Sequence, residues 1–134
     1  MIDIERDVFN FISKPVKKAF PDLYLTDVYV RQPSRFPAAT VIEMENTTYE
    51  STLDSARVEH HNTLVYEVNV YSNKIKGKKN ECKAIIALID ELMVRLGFSR
   101  TMLQPIPNMD DSTIYRMTAR YRAVVSQDKV IYRR

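Results

Sequence analysis

Three arginines recur on one side of a short segment late in the sequence. Between residues 115 and 125, Arg116, Arg120 and Arg122 alternate with apolar residues, and Thr118 completes their set. Side chains two residues apart point to the same face of a β-strand, so the pattern predicts a strand with one apolar and one cationic face. The guanidinium groups need partners, which can be carboxylates of neighbouring strands, a second subunit or phosphate. The function therefore depends on what this surface contacts.

Glutamates stand at matching positions in two other predicted strands. Glu43 and Glu45 are two residues apart in one strand, and Glu67 lies with Asn69 on the polar side of the next. We expect these carboxylates on the same sheet face as the arginines, where each Glu–Arg pair across strands contributes about 0.2–1 kcal/mol. Such a ladder is a sufficient structural reason for the charges. The alternatives are a contact between subunits and a contact with the phosphates of DNA.

Other residues with chemical potential do not form a catalytic pattern. His60 and His61 are adjacent, so in extended chain they point to opposite sides and cannot readily hold one metal ion. Cys82 lies on the apolar side of a predicted helix, where a buried thiol is inert. With Gly77 and Gly97 as the only glycines, the sequence has no glycine-rich phosphate loop. We therefore predict no enzyme activity, no cofactor and no metal.

The composition indicates one domain over residues 1–134, with 45% hydrophobic and 28% charged residues. A net charge of +3 is too small to indicate nucleic-acid binding unless it is concentrated on one surface. No apolar run approaches the roughly 18 residues of a membrane span, and the acidic start lacks the features of a secretory signal. We expect a protein that does not enter membranes and functions inside the cell.

The hydrophobic spacing predicts the element order α-β-β-β-α-β-β-β. A first helix covers 3–20, with Pro15 expected to kink or end it near Ser13. The second helix covers 80–96 and ends at Gly97, and six strands are predicted at 24–31, 39–45, 63–71, 99–104, 115–125 and 129–132. Two helices cover one face of a sheet most economically. We therefore expect a two-layer α+β domain with a mainly antiparallel sheet and both helices on one face.

The polar segment 46–62 is long for a compact domain, and segments of that length usually have a function or are flexible. Its length and polarity suggest an arm that reaches a neighbouring subunit. Tyr49, within it, therefore joins the arginines and the glutamates as a candidate interface residue.

The layout of the whole chain resembles a family of viral proteins. A short N-terminal helix, a proline-bearing strand connection, the strand 64–71, the helix 84–93 with Leu96-Gly97-Phe98 and the strand containing Tyr115-Arg116-Met117 occur in this order. Together they resemble the tail-terminator, or tail-completion, proteins of tailed bacteriophages and phage-tail-like particles.

The resemblance implies a structural virion protein without catalytic residues. Such a subunit would form a ring, usually a hexamer, at the head-proximal end of the tail tube, would end tube growth, and would contact the tube protein and a neck protein. It would assemble in the bacterial cytoplasm, and DNA would pass through its lumen without sequence-specific contacts. Two alternatives are another head–tail connector protein and a small nucleic-acid-binding domain that stacks bases on its tyrosines.

Overall fold

The computed structural model describes residues 2–48, 61–108, 111–126, 129 and 131. In chain order the elements are α1 Glu5–Ala19, β1 Tyr24–Thr26, β2 Ala38–Thr48, β3 His61–Ser72, α2 Lys78–Leu96, β4 Ser99–Pro105 and β5 Tyr115–Ser126. The predicted α+β class and the order of these seven elements are confirmed. Of the strand predicted at 129–132, only 129 and 131 are described, and Ile131 forms an isolated antiparallel bridge with Val125.

The five strands form one open sheet in the order β1-β2-β3-β5-β4. Every pairing is antiparallel except that between β1 and β2. The three long strands β2, β3 and β5 form its centre, and their β-branched and aromatic residues suit a pleated surface that is buried on one side. β1 ends at Thr26 rather than at the predicted residue 31.

Both helices pack on the same face of the sheet, which confirms the two-layer arrangement. Val8, Ile12 and Val16 of α1 form one core with the apolar stripe of α2 and with Leu64, Tyr66 and other inward residues of the strands. Tyr66 and Tyr121 are its largest fully buried side chains. No helix in the described part of the chain is long and apolar enough to span a membrane.

The end of α2 agrees with its prediction, whereas α1 continues past Pro15. Gly97 has φ +107°, and the amide of Phe98 donates to the carbonyl oxygen of Met93 at 3.0 Å, so α2 ends at the predicted glycine in a Schellman arrangement. Pro15, in contrast, lies inside α1 and does not end it. The carbonyl that loses its hydrogen-bond donor to the proline belongs to Phe11, a residue that is 39% exposed.

Strands β2 and β3 also extend into the segment predicted as an arm. Thr48 pairs with Asn62 and Asn46 with Leu64, so both ends of the predicted 46–62 segment belong to the sheet. The strand pairing supplies backbone partners that a polar sequence does not reveal. Residues 49–60, including Tyr49, lie outside the described part of the chain.

Candidate interaction surface

The face of the sheet opposite the helices is called the open face below. Residues that pair directly across antiparallel strands point to the same side of the sheet. The register therefore shows which side chains form rows across the open face. One row consists of Glu45, Val65, Arg122 and Ser99, and the next consists of Ile42, Glu67, Arg120 and Met102. A third row contains Thr40, Asn69, Thr118 and Gln104.

Asn69 is the centre of a hydrogen-bond network on the open face. Its Oδ1 accepts from Arg116 Nε at 3.0 Å, from Arg116 Nη2 at 2.8 Å and from Thr118 Oγ1 at 2.7 Å. Its Nδ2 donates to Glu67 Oε1 at 3.0 Å. Asn69 and Thr118 are both buried, so their polar atoms need these partners. Arg116 also lies over the ring of Tyr71, 5.5 Å from its centre.

Glu67 connects this network to a second arginine. Its Oε2 accepts from Arg120 Nε at 2.9 Å, and the Glu67 side chain is only 13% exposed, while the Arg120 side chain is 50% exposed. The expected shared face and a Glu–Arg pair across strands are therefore present at this position. Two of the three arginines predicted to need partners, Arg116 and Arg120, find them inside the subunit. Because these contacts engage N–H donors of both arginines, fewer donors remain to bind phosphate.

Arg122 and Glu45 remain without such partners. They share one row of the open face, but Val65 stands between them on β3. In the described part of the chain, neither side chain has a hydrogen bond or an ion pair with another residue. Arg122 is half-buried and Glu45 is exposed. A half-buried cation and a nearby anion on one surface, each unpaired, indicate where an outside partner could bind.

Glu43 does not lie on the open face, so its expected proximity to the arginines is wrong. A β-bulge at Met44 inserts one extra residue between Glu43, which pairs with Tyr66, and Glu45, which pairs with Val65. The two glutamates consequently point to opposite faces of β2. Glu43 faces the helices, where its Oε1 accepts from the Tyr66 hydroxyl at 3.2 Å.

The environment of Glu43 is apolar and acidic. Burial raises the pKa of the Glu43 carboxyl, the negative charges of Glu5 and Asp3 raise it further, and the Tyr66 hydroxyl partly opposes them. Burial likewise raises the pKa of the Tyr66 hydroxyl. Glu43 is therefore a structural carboxylate near the N-terminus of α1 and not a part of the charged open face.

One end of the open face is covered. Tyr71, Ala38 and Ile114 form a small second core there, against which Phe36 and Tyr24 pack. Phe36 belongs to the connection between β1 and β2, which leaves the sheet after Thr26 and crosses this end of the open face. The polar rows that contain Arg120 and Arg122 lie beyond the cover, so they are the accessible part of this face.

Besides the outer side of the three-residue β1, two stretches of strand edge have no strand neighbour among the described residues. β1 pairs only with Ala38–Thr40, so the outer side of Ile42–Thr47 has no strand neighbour among the described residues. We call this stretch the upper β2 edge. At the opposite side, β4 pairs only with β5, and six of its seven residues are exposed. Open edges present unpaired backbone donors and acceptors to another chain.

The other candidate residues have structural roles. Cys82 is fully buried, its Sγ lies 3.5 Å from the carbonyl oxygen of Tyr115, and burial raises the pKa of its thiol to about 12. No group of three or more His, Cys, Asp or Glu side chains that could hold a metal occurs within the residues described. A shallow groove of about 560 Å³ lies beside Arg116 and is lined mainly by apolar residues of the 105–115 connection. Among the described residues that line it there is no acid–base or nucleophilic pair.

Comparison with models of known protein families finds no match, and comparison with curated proteins finds none either. Sequence reasoning placed Asn69 on the polar face but missed its central position, although an amide within the apolar alternation of β3 is a signal for a buried polar contact. It also missed the two open edges, because they depend on which strands pair.

Proposed function

We propose that this chain is a non-enzymatic structural subunit that assembles head-to-tail into a ring, of the kind that ends a phage tail tube and joins it to the neck. The observation that carries the proposal is the match between the two open edges of the sheet. The upper β2 edge and the β4 edge lie on opposite sides of one subunit and have similar lengths. A head-to-tail interface requires two different surfaces of this kind.

The strand directions fit the same arrangement. The steps from β2 to β3, from β3 to β5 and from β5 to β4 are all antiparallel, so β2 and β4 run in opposite directions. If a second subunit continues the sheet with its strands aligned, its upper β2 edge meets β4 in the antiparallel sense. Antiparallel pairing is slightly more stable per residue than parallel pairing. Repetition of this contact gives a closed ring when the rotation per subunit divides the full circle, and six copies is the number that the resemblance implies.

The contacts of the open face support this function over nucleic-acid binding. Two of its three arginines are held by Asn69 and Glu67 inside the subunit, and the tyrosines of β5 lie on the face that packs against the helices. A single-strand binding surface needs cations and stacking rings together. Another head–tail connector protein is the nearest alternative, because it would use the same ring.

The edge contact can be tested at Leu103. The Ile106 amide donates to the Arg116 carbonyl oxygen at 3.0 Å, and inward amides alternate along an antiparallel strand, so the Leu103 amide faces the open edge. Pro105, which has no amide hydrogen, occupies the next outward position, as is usual for an edge strand. Leu103→Pro should remove the outward donor without removing a hydrogen bond of the subunit's own sheet. Leu103→Ala is the matched control, since it loses the side chain and keeps the amide.

We expect the wild-type protein and Leu103→Ala to form rings in sedimentation velocity and negative-stain images at high protein concentration, and Leu103→Pro to remain monomeric. Thermal unfolding monitored by circular dichroism checks that each variant is folded. Rings of Leu103→Pro in equal yield would contradict the edge contact.

For the tail assignment, a reconstruction of the assembled particle should show a ring of this chain at the head-proximal end of the tail. A single copy, or a position inside the capsid, would refute it.

A further inference from the structure

We infer that the end of the domain where α1 ends and α2 begins binds the phosphates of double-stranded DNA, without regard to base sequence. This surface is separate from the open face, and the inference applies to the subunit whether or not rings form. Eight of the nine lysines lie in residues 14–22 and 74–83, which contain only two acidic residues. The two segments therefore have a net charge of +6, twice the +3 of the whole chain. The positive charge is concentrated on one part of the surface, as nucleic-acid binding requires.

The fold brings these two segments to the same end of the domain. The N-terminus of α1 lies at the opposite end, where Asn46, beside the start of β3, donates through Nδ2 to the carbonyl oxygen of Ile2 at 2.7 Å. The C-terminal end of α1 leads into β1, whose partner Ala38 pairs with Tyr71 near the end of β3. The turn that leads to α2 follows β3 directly. We call the exposed cations of this end, Lys17, Lys18, Lys74, Lys76 and Lys79, the lysine end.

The side chains of the lysine end are available to an external anion. Within the described residues, none of the five forms an ion pair or a hydrogen bond with another side chain. Lys78, on the same turn, is engaged, since its Nζ donates to the carbonyl oxygen of Thr113 at 3.2 Å. The carboxylate of Glu81 accepts from the Ser72 hydroxyl at 2.6 Å and is therefore held against β3. Lysines at this density repel one another, and a bound anion relieves that repulsion.

The chemistry of the lysine end fits DNA phosphates better than a protein or a membrane. Lysine is depleted in protein–protein interfaces, whereas contacts between lysines and phosphates supply most of non-specific DNA binding. Ile75 is 97% exposed and stands alone between two lysines, and one isoleucine forms neither the apolar centre of an interface nor a stable membrane anchor. Residues 74–83 contain no aromatic ring for base stacking. A surface that holds phosphates by charge alone binds duplex DNA of any sequence.

Fluorescence anisotropy of a labelled DNA duplex of about 20 base pairs tests the contact. For the wild type, the logarithm of the binding constant should fall with the logarithm of the salt concentration with a slope of about −3 to −5, because three to five phosphates are contacted. Two duplexes of unrelated sequence should bind equally. All proteins are compared in the same assembly state, which sedimentation velocity checks.

Neutralisation of the lysines should remove this binding. The triple variant Lys74→Gln, Lys76→Gln and Lys79→Gln should lower the affinity at about 50 mM salt by about tenfold or more, and should reduce the magnitude of the slope by about 3. Lys17→Gln combined with Lys18→Gln tests the α1 side separately and should reduce that magnitude by about 2. These side chains are exposed, and circular dichroism checks that each variant is folded.

The matched control is Arg6→Gln, Arg95→Gln and Lys129→Gln, which removes three exposed cations away from the lysine end. It should keep the slope of the wild type and lose less than about threefold in affinity. An equal loss in both triple variants would show that only the net charge matters and would overturn the inference, as would the absence of duplex binding at low salt. Ile75→Ala should bind DNA like the wild type. If the wild type binds vesicles of anionic lipid through Ile75 and does not bind DNA, the partner is a membrane and the inference is wrong.

Discussion

Asn69 should contribute more to the stability of the subunit than any charged residue of the open face. Asn69→Ala removes the acceptor of the buried Thr118 hydroxyl and of two Arg116 N–H groups. A buried donor left without a partner costs about 1–3 kcal/mol. Arg116 is only half-buried, so water replaces part of its loss, and we assign about 1 kcal/mol to it. The expected decrease in the free energy of unfolding is about 3 kcal/mol.

Urea unfolding monitored by circular dichroism measures this decrease as a lower transition midpoint with an unchanged slope. For a domain of this size, it corresponds to a melting temperature about 10 °C lower. Thr118→Val is the matched variant, because it removes the hydroxyl and keeps the shape of the side chain. It should cost about 1 kcal/mol or less, since Asn69 keeps its contacts with Arg116.

The double-mutant cycle isolates the buried contact. In the Thr118→Val background, Asn69→Ala no longer leaves a buried hydroxyl without an acceptor, so its cost should be lower by about 1–2 kcal/mol. An Asn69→Ala variant within about 0.5 kcal/mol of the wild type would refute the reasoning, as would equal costs in both backgrounds.

Two further predictions concern buried titratable groups. Because burial raises the pKa of Glu43 above its ordinary value, its ionisation opposes folding, so this loss of stability develops as the pH rises through and above 4.5 and is absent below that range. Glu43→Gln should therefore raise the melting temperature at pH 7 and leave it unchanged near pH 4. An equal gain at both pH values would contradict the role of the charge. Glu91→Gln, at an exposed glutamate, is the control. With its pKa raised to about 12, the Cys82 thiol should contain about a thousandfold less thiolate at pH 8 than an ordinary thiol, so a disulfide reagent should label it only after denaturation. Rapid labelling of the native protein would show that the thiol is accessible.

Much of the architecture could be predicted because it depends on local periodicity. The alternation in β3 and β5 and the apolar stripe of α2 each identify one buried face without knowledge of the partner. The same alternation correctly placed Glu67 on the face of the arginines. It failed for Glu43 because a β-bulge changes the side to which residues point without changing the alternation of residue types. At a polar strand end such as Asn46–Thr48, the residue types do not indicate whether the segment is a strand or a loop.

Residue spacing alone was enough to predict the class of the fold, the two helices, the end of α2 at Gly97 and the presence of a cationic strand face. These features follow from residue spacing and from backbone preferences that act within a few neighbours along the chain. The strand order, the bulge at Met44, the partners of Arg116 and Arg120, and the separation of Arg122 from Glu45 became known from the folded chain. The reason is physical: strand pairing joins residues far apart in the chain, and which charges meet depends on that register and not on the composition of either strand.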